Sequence, residues 1–357
     1  YLHDRTQKVQ VNWSFSKTSP VLSGVPQGSV LGPALFLIFV ADASEMIKNF
    51  ISLYADDTKL FTYILDASCA DNLHSSESLQ LDLNVLAVWC DNMQMSYNID
   101  KCHSLHLGKH NKKSTYTLPK MSSVIKTTGG ISYDYTFHNL DHVEQEKDLG
   151  IIIDDKLSFR NHISAKIKKA NTMIYLMKHT FKFLDADMFN LMYKALVRPQ
   201  VEYATPVWCP TLKIDINSIE KVQHRATKLV PAIASLSYEE RLQHLKLPTL
   251  QYRRLRQDLI FIFKYSKGLI NLDTRTHCKV CIHNKDMLTP SLSQKTRGHN
   301  QKFQIHHHQG IRNRFLTSRA LSTWNNLNPE TPNVSSVNAF KNKLDNDLAL
   351  PNKYLSF

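Results

Sequence analysis

Two adjacent carboxylates, Asp56 and Asp57, close the apolar run Phe50 to Ala55, and a β-prone run, Thr58-Lys59-Leu60-Phe61-Thr62-Tyr63, follows at once. Strand, acidic turn, strand predicts a hairpin with both aspartates at its tip. Period-two alternation puts Ile51, Leu53 and Ala55 on one face and Ser52 and Tyr54 on the other. Carboxylates this close repel, by ~1 kcal/mol at ~4 Å in water and ~4 kcal/mol at an effective dielectric near 20. A fully wet turn tolerates that load, and so does a turn that shares a divalent cation. Mg²⁺ favours carboxylate oxygens combined with substrate phosphates. Taken alone, an Asp-Asp pair reads as a solvated turn, so the flanking sequence has to decide.

Upstream lies Ser23-Gly24-Val25-Pro26-Gln27-Gly28-Ser29-Val30-Leu31-Gly32-Pro33, followed by the apolar Ala34 to Val40. Gly24, Pro26 and Gly28 predict a tight turn leading into a buried helix. Glycine lets backbone approach a ligand closely, and helix N-terminal amides attract phosphate. Gln27 is the polar side chain placed for such a contact; the plainer reading is a structural turn with Gln27 on the surface. Downstream, Leu79, Leu83, Leu86, Trp89 and Met93 recur at helical steps over 71–96, a core-packing stripe that should cover the hairpin. Tyr97 to Cys102 then predicts a turn feeding the strand Ser104-Leu105-His106-Leu107.

In this order and at this spacing, the Gly-Pro turn, Tyr54-Ala55-Asp56-Asp57, Trp89 to Asn98, Lys101-Cys102, Leu105 to Gly108, Lys147-Asp148-Leu149-Gly150-Ile151, Leu196-Val197-Arg198-Pro199 and Glu202-Tyr203-Ala204 resemble the reverse transcriptase of non-LTR retrotransposons of the jockey and chicken-repeat type. The resemblance runs from residue 1 to about residue 345. It implies an α+β fold: a partial right-hand polymerase palm, with an antiparallel sheet and covering helices, then a helical thumb and a helical C-terminal region. The expected division is 1–157 palm, 158–268 thumb, and 269–357 a basic region without an assigned role.

The resemblance also implies the chemistry: RNA-directed DNA synthesis by two-metal nucleotidyl transfer, one Mg²⁺ acidifying the primer 3′-hydroxyl and the other holding the triphosphate. Asp56 and Asp57 are the expected metal ligands. Lys101 is the candidate acid for the leaving pyrophosphate, a role typically worth ~10²–10⁴ in rate; a lysine stem packed over Trp89 is the alternative. Gly24, Pro26, Gln27, Gly28, Tyr54 and Ala55 would contact nucleotide and template. Leu149 and Gly150 would support the primer end as a primer grip. The partners implied are an RNA template, a DNA primer and dNTP.

Net charge is +13 over 357 residues, which favours a polyanionic partner. Helical periodicity dominates 160–268, through Ile163, Ile167, Ala170 and Ile174, then Met188, Leu191, Met192, Ala195 and Leu196, with Arg198-Pro199 ending a helix. Lys166, Lys168, Lys169 and Lys178, with Lys221, His224, Arg225 and Lys228 on Ile216 to Val230, form a basic face, which the resemblance to a thumb implies would bind the template–primer duplex. Phosphate contacts of this kind give salt-dependent, sequence-blind affinity; a merely solvated lysine face is the alternative. Residues 109–146 read as a long hairpin or insertion. Phe315 to Leu327 and Phe340 to Leu344 read as helices.

The six cysteines show no framework spacing, which points to a reducing, intracellular compartment, cytoplasmic or nuclear, and the resemblance, through its target-primed chemistry, implies the nucleus. No signal peptide stands out, and the longest apolar stretch, Ala34 to Val40, is far short of a membrane span. Cys278-x-x-Cys281 with His277, His283 and His299 lacks a second regular ligand pair, so the region reads against zinc. The resembled site also uses an aspartate on an earlier strand, and residues 1–20 offer no match. Together with Tyr rather than Met at position 1, this leads to the expectation of a fragment that extends primers poorly alone. A catalytically dead nucleic-acid-binding remnant and an unrelated basic scaffold that engages proteins stay open beside it.

Overall fold

The structure is a computed structural model that describes residues 3–63, 71–108, 111–127, 130–270, 288, 290–291, 299–305, 310–347 and 354. The fold is mixed α+β, in two compact units, Tyr1–Val143 and Glu144–Phe357.

The first unit opens with nested hairpin pairs. Strand β1 (Thr6–Gln7) pairs with β4 (Ser19–Pro20), and β2 (Gln10–Val11) with β3 (Ser14–Phe15), all antiparallel. Asn12 and Trp13 turn the inner pair with φ of 47° and 68°, the two left-handed positions of a type I′ turn. Helix α1 (Leu31–Val40) follows. It was expected to be buried, and it is not: Leu31, Leu37, Ile38 and Phe39 are all exposed. The helix is apolar on every face, whereas a single neighbour covers one stripe. That stripe is Phe36 and Val40, packed with Ala43 against Leu86, Trp89, Cys90 and Met93.

Strands β5 (Phe50–Tyr54) and β6 (Asp57–Phe61) form the predicted hairpin. The stacked Phe50 and Phe61 rings, with centroids 5.0 Å apart, close its open end. Helix α2 (Asp71–Asn92) lies along it. Short strand β7 (His103–Leu105) precedes the long antiparallel hairpin β8 (Thr117–Thr127) and β9 (Gly130–Asn139), which accounts for the polar 109–146 stretch. Strand β10 (Asp141–Val143) returns parallel to β7. Among the described residues the strands form six separate pairs rather than one continuous sheet; beside β6 lies helix α2 rather than a third strand.

The second unit starts with the hairpin β11 (Gln145–Asp148) and β12 (Ile151–Asp154), so these strands share a compact unit with the helices that follow. Helix α3 (Arg160–Thr180) buries Ile163, Ala170 and Met177. Helix α4 (Ala186–Met192) runs through a π-turn, Tyr193–Val197, into α5 (Arg198–Glu202). Two expectations fail here. The inward residues are Phe189, Tyr193, Val197 and Val201, while Leu191 and Leu196 face solvent. Nor does Pro199 end a helix: it sits in the first turn of α5, where its missing N–H costs nothing, and the π-turn absorbs the irregularity. Helices α6 (Thr205–Trp208), α7 (Lys213–Thr227), α8 (Tyr238–Leu245) and α9 (Leu250–Ser266) complete one core.

A second core joins Leu259, Ile262 and Phe263 of α9 to α10 (Leu316–Arg319), α11 (Leu321–Asn325) and α12 (Val337–Leu344). The helix expected over Phe315 to Leu327 is thus two short ones that break at Ala320, where the turn seats Trp324 beside Phe340. Arg319 clamps the break, donating to both Asp258 oxygens at 2.8 and 2.9 Å and to the Pro206 carbonyl. Among the described residues no helix is long and apolar enough to cross a membrane.

Candidate active site and nucleic-acid interface

The carboxylate hairpin closes in two residues. Tyr54 pairs with Asp57 across it, leaving Ala55 and Asp56 as the turn. Asp56 therefore sits at the tip, while Asp57 is the first residue of β6. The expectation had put both in the turn; the ladder captures Asp57 because Tyr54 offers it a partner. Ala55 takes φ 53°, a left-handed conformation that costs an L-residue roughly 1–2 kcal/mol. Strain of this kind collects where surrounding structure holds a functional geometry in place. Tyr54, Ala55, Asp56 and Asp57 are all exposed, with Ile51 and Leu53 half-buried beneath.

Helix α2 holds this hairpin through a residue the sequence reading missed. Asp82 is buried, and its carboxylate accepts from the Lys48 N–H at 3.1 Å, the Asn49 N–H at 2.7 Å and the Asn49 side-chain amide at 2.8 Å. Lys48 and Asn49 lead directly into β5. On the same helix, the Gln80 amide donates to the Thr117 carbonyl and accepts the Thr117 N–H, both at 2.8 Å, which fixes the start of β8. The signal was present: Asp82 falls between Leu79 and Leu86 on the apolar stripe, where a charge must have partners.

The Gly-Pro turn is also built as expected. Gly24 and Gly28 take φ of 81° and 79°. The Ser29 hydroxyl donates to the Pro26 carbonyl at 2.8 Å and accepts the Gly32 N–H at 2.9 Å. A Cβ on Gly32 would lie 2.7 Å from that same carbonyl, so the position excludes a side chain. Pro26 is half-buried, and Gln27 and Gly28 are exposed. Arg5 reaches over to the Gly24 carbonyl at 2.9 Å. With Gly32 N–H spent on Ser29 and no N–H on Pro33, this helix start offers fewer amides to a phosphate than an uncapped one. Lys101 is exposed in a single 3₁₀ turn, Ile99–Lys101, just before β7, while Trp89 is buried in the core of α1 and α2.

Two adjacent exposed carboxylates suit a Mg²⁺ that is shared with waters and substrate phosphates, and do not suit a closed protein cage. Among the described residues no group of three or more His, Cys, Asp or Glu could hold a metal. His299, which the zinc reading drew on, is buried, with one ring nitrogen on the Trp324 carbonyl at 2.8 Å and the other accepting the Gln301 N–H. Cys278, Cys281, His277 and His283 lie outside the described residues.

In the second unit, Leu149 and Gly150 form the tip of the β11–β12 hairpin, with φ of 44° and 85°. Tyr203 supports that tip: its hydroxyl donates to the Leu149 carbonyl at 3.0 Å, and its ring lies 3.7 Å from where a Gly150 Cβ would be. Lys166 stands over the same ring, 5.5 Å from its centroid. Burial, with Lys169 and Lys147 nearby, lowers the Lys166 pKa. Lys168 and Lys169 are exposed on α3, and Lys221, Arg225 and Lys228 are exposed at helical spacing along α7. Asp154 organises the approach to α3, accepting from the Lys156, Ser158 and Phe159 amides. Beneath, buried His162 accepts the Ile152 N–H at 3.1 Å on Nδ1 and packs on Trp208; burial, then Lys166, lowers its pKa to about 4.

Residues 1–184 match the family model for reverse transcriptase (RNA-dependent DNA polymerase). The chain is 28% identical over 245 residues to a probable RNA-directed DNA polymerase from transposon BS of Drosophila melanogaster, covering 64% of this chain and 24% of that protein. It is also 28% identical over 242 residues to the RNA-directed DNA polymerase from mobile element jockey of the same fly, with 64% and 24% covered. The jockey protein of Drosophila funebris is 28% identical over 219 residues, with 58% and 22% covered. The chain thus spans about a quarter of the length of these curated relatives. No solved structure matches it.

Proposed function

The chain belongs to the reverse transcriptase family, and from that premise we propose that it serves RNA-directed DNA synthesis by a mobile element of the jockey type. The observation that carries this reading is the two-residue turn that thrusts Asp56 and Asp57 into solvent on a hairpin anchored through Asp82. On this reading residues 1–157 act as palm and 158–268 as thumb, with 269–357 a basic region without an assigned role.

Asp56 and Asp57 would hold Mg²⁺, which when bound neutralises phosphate charge and acidifies the attacking hydroxyl. Ala55, small and strained, leaves room beside the carboxylates for a primer end. The turn of Gly24, Pro26, Gln27 and Gly28 offers backbone and one amide side chain to nucleotide and template. Lys101 supplies a proton to the leaving pyrophosphate. Leu149 and Gly150 present main chain to the primer, held by Tyr203. Lys166, Lys168, Lys169, Arg225 and Lys228 bind duplex phosphates without reading sequence.

The test is primer extension on an RNA template with Mg²⁺, by this chain joined to a strand that supplies the further aspartate the resembled site uses. Asp56→Ala abolishes extension and leaves RNA affinity within about twofold, because phosphate contacts carry that affinity. Extension that survives Asp56→Ala overturns the metal assignment. The exposed cations of α3 and α7 also support a second reading, a nucleic-acid-binding protein without catalysis. Salt-dependent RNA binding that persists while the joined chain, with its aspartate supplied, extends no primer favours it.

A further inference from the structure

The helical unit carries a second concentration of positive charge that the duplex-binding face does not include. A cleft of about 370 Å³ opens where the α4–α5 segment meets the junction of α8 and α9. Lys194, Arg198, Lys246, Arg253 and Arg256 line it, with Asp345 and Tyr354. Its acids are already committed. Asp345 takes two bonds from Arg256, at 2.6 and 2.9 Å, and one from the Tyr252 hydroxyl. Glu202, beside the cleft, is shared by Arg198 and Arg253, the latter in a two-pronged contact. Lys194 and Lys246 are exposed, and neither makes an ion pair among the described residues. Five cations thus face two carboxylates.

Burial, then the neighbouring Arg253 charge, lowers the Arg198 pKa. Bringing like charges together costs free energy unless an anion arrives to share them. The two guanidiniums most engaged, Arg253 and Arg256, are locked by their carboxylates and shape the floor. Lys194 and Lys246 are left to meet a ligand. Half-buried Tyr354 and Pro248 supply an apolar wall beside the charges. Cations beside a wall with an aromatic ring suit a nucleic-acid strand, which offers phosphates and stacking bases together, better than an acidic peptide.

We propose that this cleft is a nucleic-acid site that grips backbone phosphates of a single strand through Lys194 and Lys246, apart from the lysine face of α3. It shares the premise of a nucleic-acid partner with the polymerase reading and does not depend on catalysis.

The experiment is fluorescence anisotropy of a short labelled oligoribonucleotide on the full chain, titrated across a range of salt. The variant is Lys194→Ala with Lys246→Gly. Lys246 ends α8 at φ 51°, where glycine is tolerated better than alanine. Two lost phosphate contacts should weaken binding roughly tenfold at physiological salt and make the log–log salt slope shallower by about 1.4. The control is Lys182→Ala with Lys213→Ala, which removes the same charge from exposed positions outside the cleft; it should change affinity by less than about twofold. Equal weakening in control and cleft variants overturns the proposal, as does an unchanged affinity in the cleft variant. So does tight binding of polyglutamate that the cleft variant alone loses while RNA binding persists. Thermal unfolding of both variants guards against misfolding, and Lys194→Ala alone gives about half the slope change. Loss or survival of primer extension in Asp56→Ala leaves these outcomes untouched, so the two readings fail separately.

Discussion

The Tyr203 hydroxyl donates to the Leu149 carbonyl at 3.0 Å, joining the end of α5 to a hairpin tip 54 residues away in sequence. That carbonyl belongs to a turn with two consecutive left-handed residues, and the Lys166 ammonium stands over the tyrosine ring. One side chain therefore couples the hairpin proposed to carry a primer end to the helix proposed to carry its phosphates. Tyr203→Phe keeps the ring and removes only the bond. The expected cost is about 0.5–1 kcal/mol, small because the residue is exposed to water. In an extension assay the loss should fall on KM for the primer, with RNA affinity retained. Urea unfolding and steady-state kinetics check the two effects; a change in kcat alone would mean that Tyr203 does not act through the hairpin.

Asp82 sets the frame for the carboxylate hairpin. Asp82→Ala removes the acceptor of three part-buried donors at Lys48 and Asn49, for an expected loss of about 1–3 kcal/mol. Hydrogen exchange should quicken first in Phe50–Tyr54, the strand those donors precede. Exchange that quickens evenly over the whole first unit would show that Asp82 supports global stability rather than this hairpin.

The elements themselves were legible, because periodicity and turn chemistry are local. The hairpin about Asp56, helix α2 and α3 lie where alternation or a three-to-four residue spacing puts them, and the β8–β9 hairpin fills the stretch that reads as a long hairpin or an insertion. What failed depended on neighbours. An all-round apolar segment does not say which of its faces will be covered, so the sequence of α1 reads as a buried helix although most of its surface is exposed. Between Ala186 and Glu202 the π-turn shifts the helical phase, so three- and four-residue spacing selects Leu191 and Leu196 while Phe189, Tyr193 and Val197 point inward. Tethers such as Gln80 to Thr117 and Tyr203 to Leu149 span 37 and 54 residues. No periodic pattern reports a contact of that range.

His162 makes the second unit sensitive to acid. Its imidazole is buried and neutral, with a pKa lowered to about 4. An unfolded chain takes up the proton near pH 6.5. The folded-state value is the lower one, so stability is full above about pH 6.5 and falls as pH drops toward 4, by up to roughly 3 kcal/mol. Below that both states are protonated and the contribution levels off. His162→Asn offers an amide oxygen to the Ile152 N–H and does not titrate. Thermal midpoints for the variant should fall less between pH 6.5 and 4 than for the wild type; parallel curves would assign the acid sensitivity to other groups.

Ala55 tests whether the strained turn matters in itself. Glycine at φ 53° recovers the roughly 1–2 kcal/mol that alanine loses there, less about 0.5–1 kcal/mol for its greater unfolded freedom. Ala55→Gly should therefore leave stability unchanged or raised by up to about 1.5 kcal/mol. A β-branched residue has no comfortable place at positive φ, so Ala55→Val should destabilise the hairpin and displace Asp56. The functional consequence differs from the energetic one. If the alanine holds Asp56 in one position, Ala55→Gly lowers kcat for extension even as it raises the unfolding midpoint, because the tip gains freedom. Unchanged kcat in a stabilised Ala55→Gly chain would mean that the carboxylate is positioned by its ligands alone. Measuring the unfolding midpoint and kcat on the same preparation separates these outcomes.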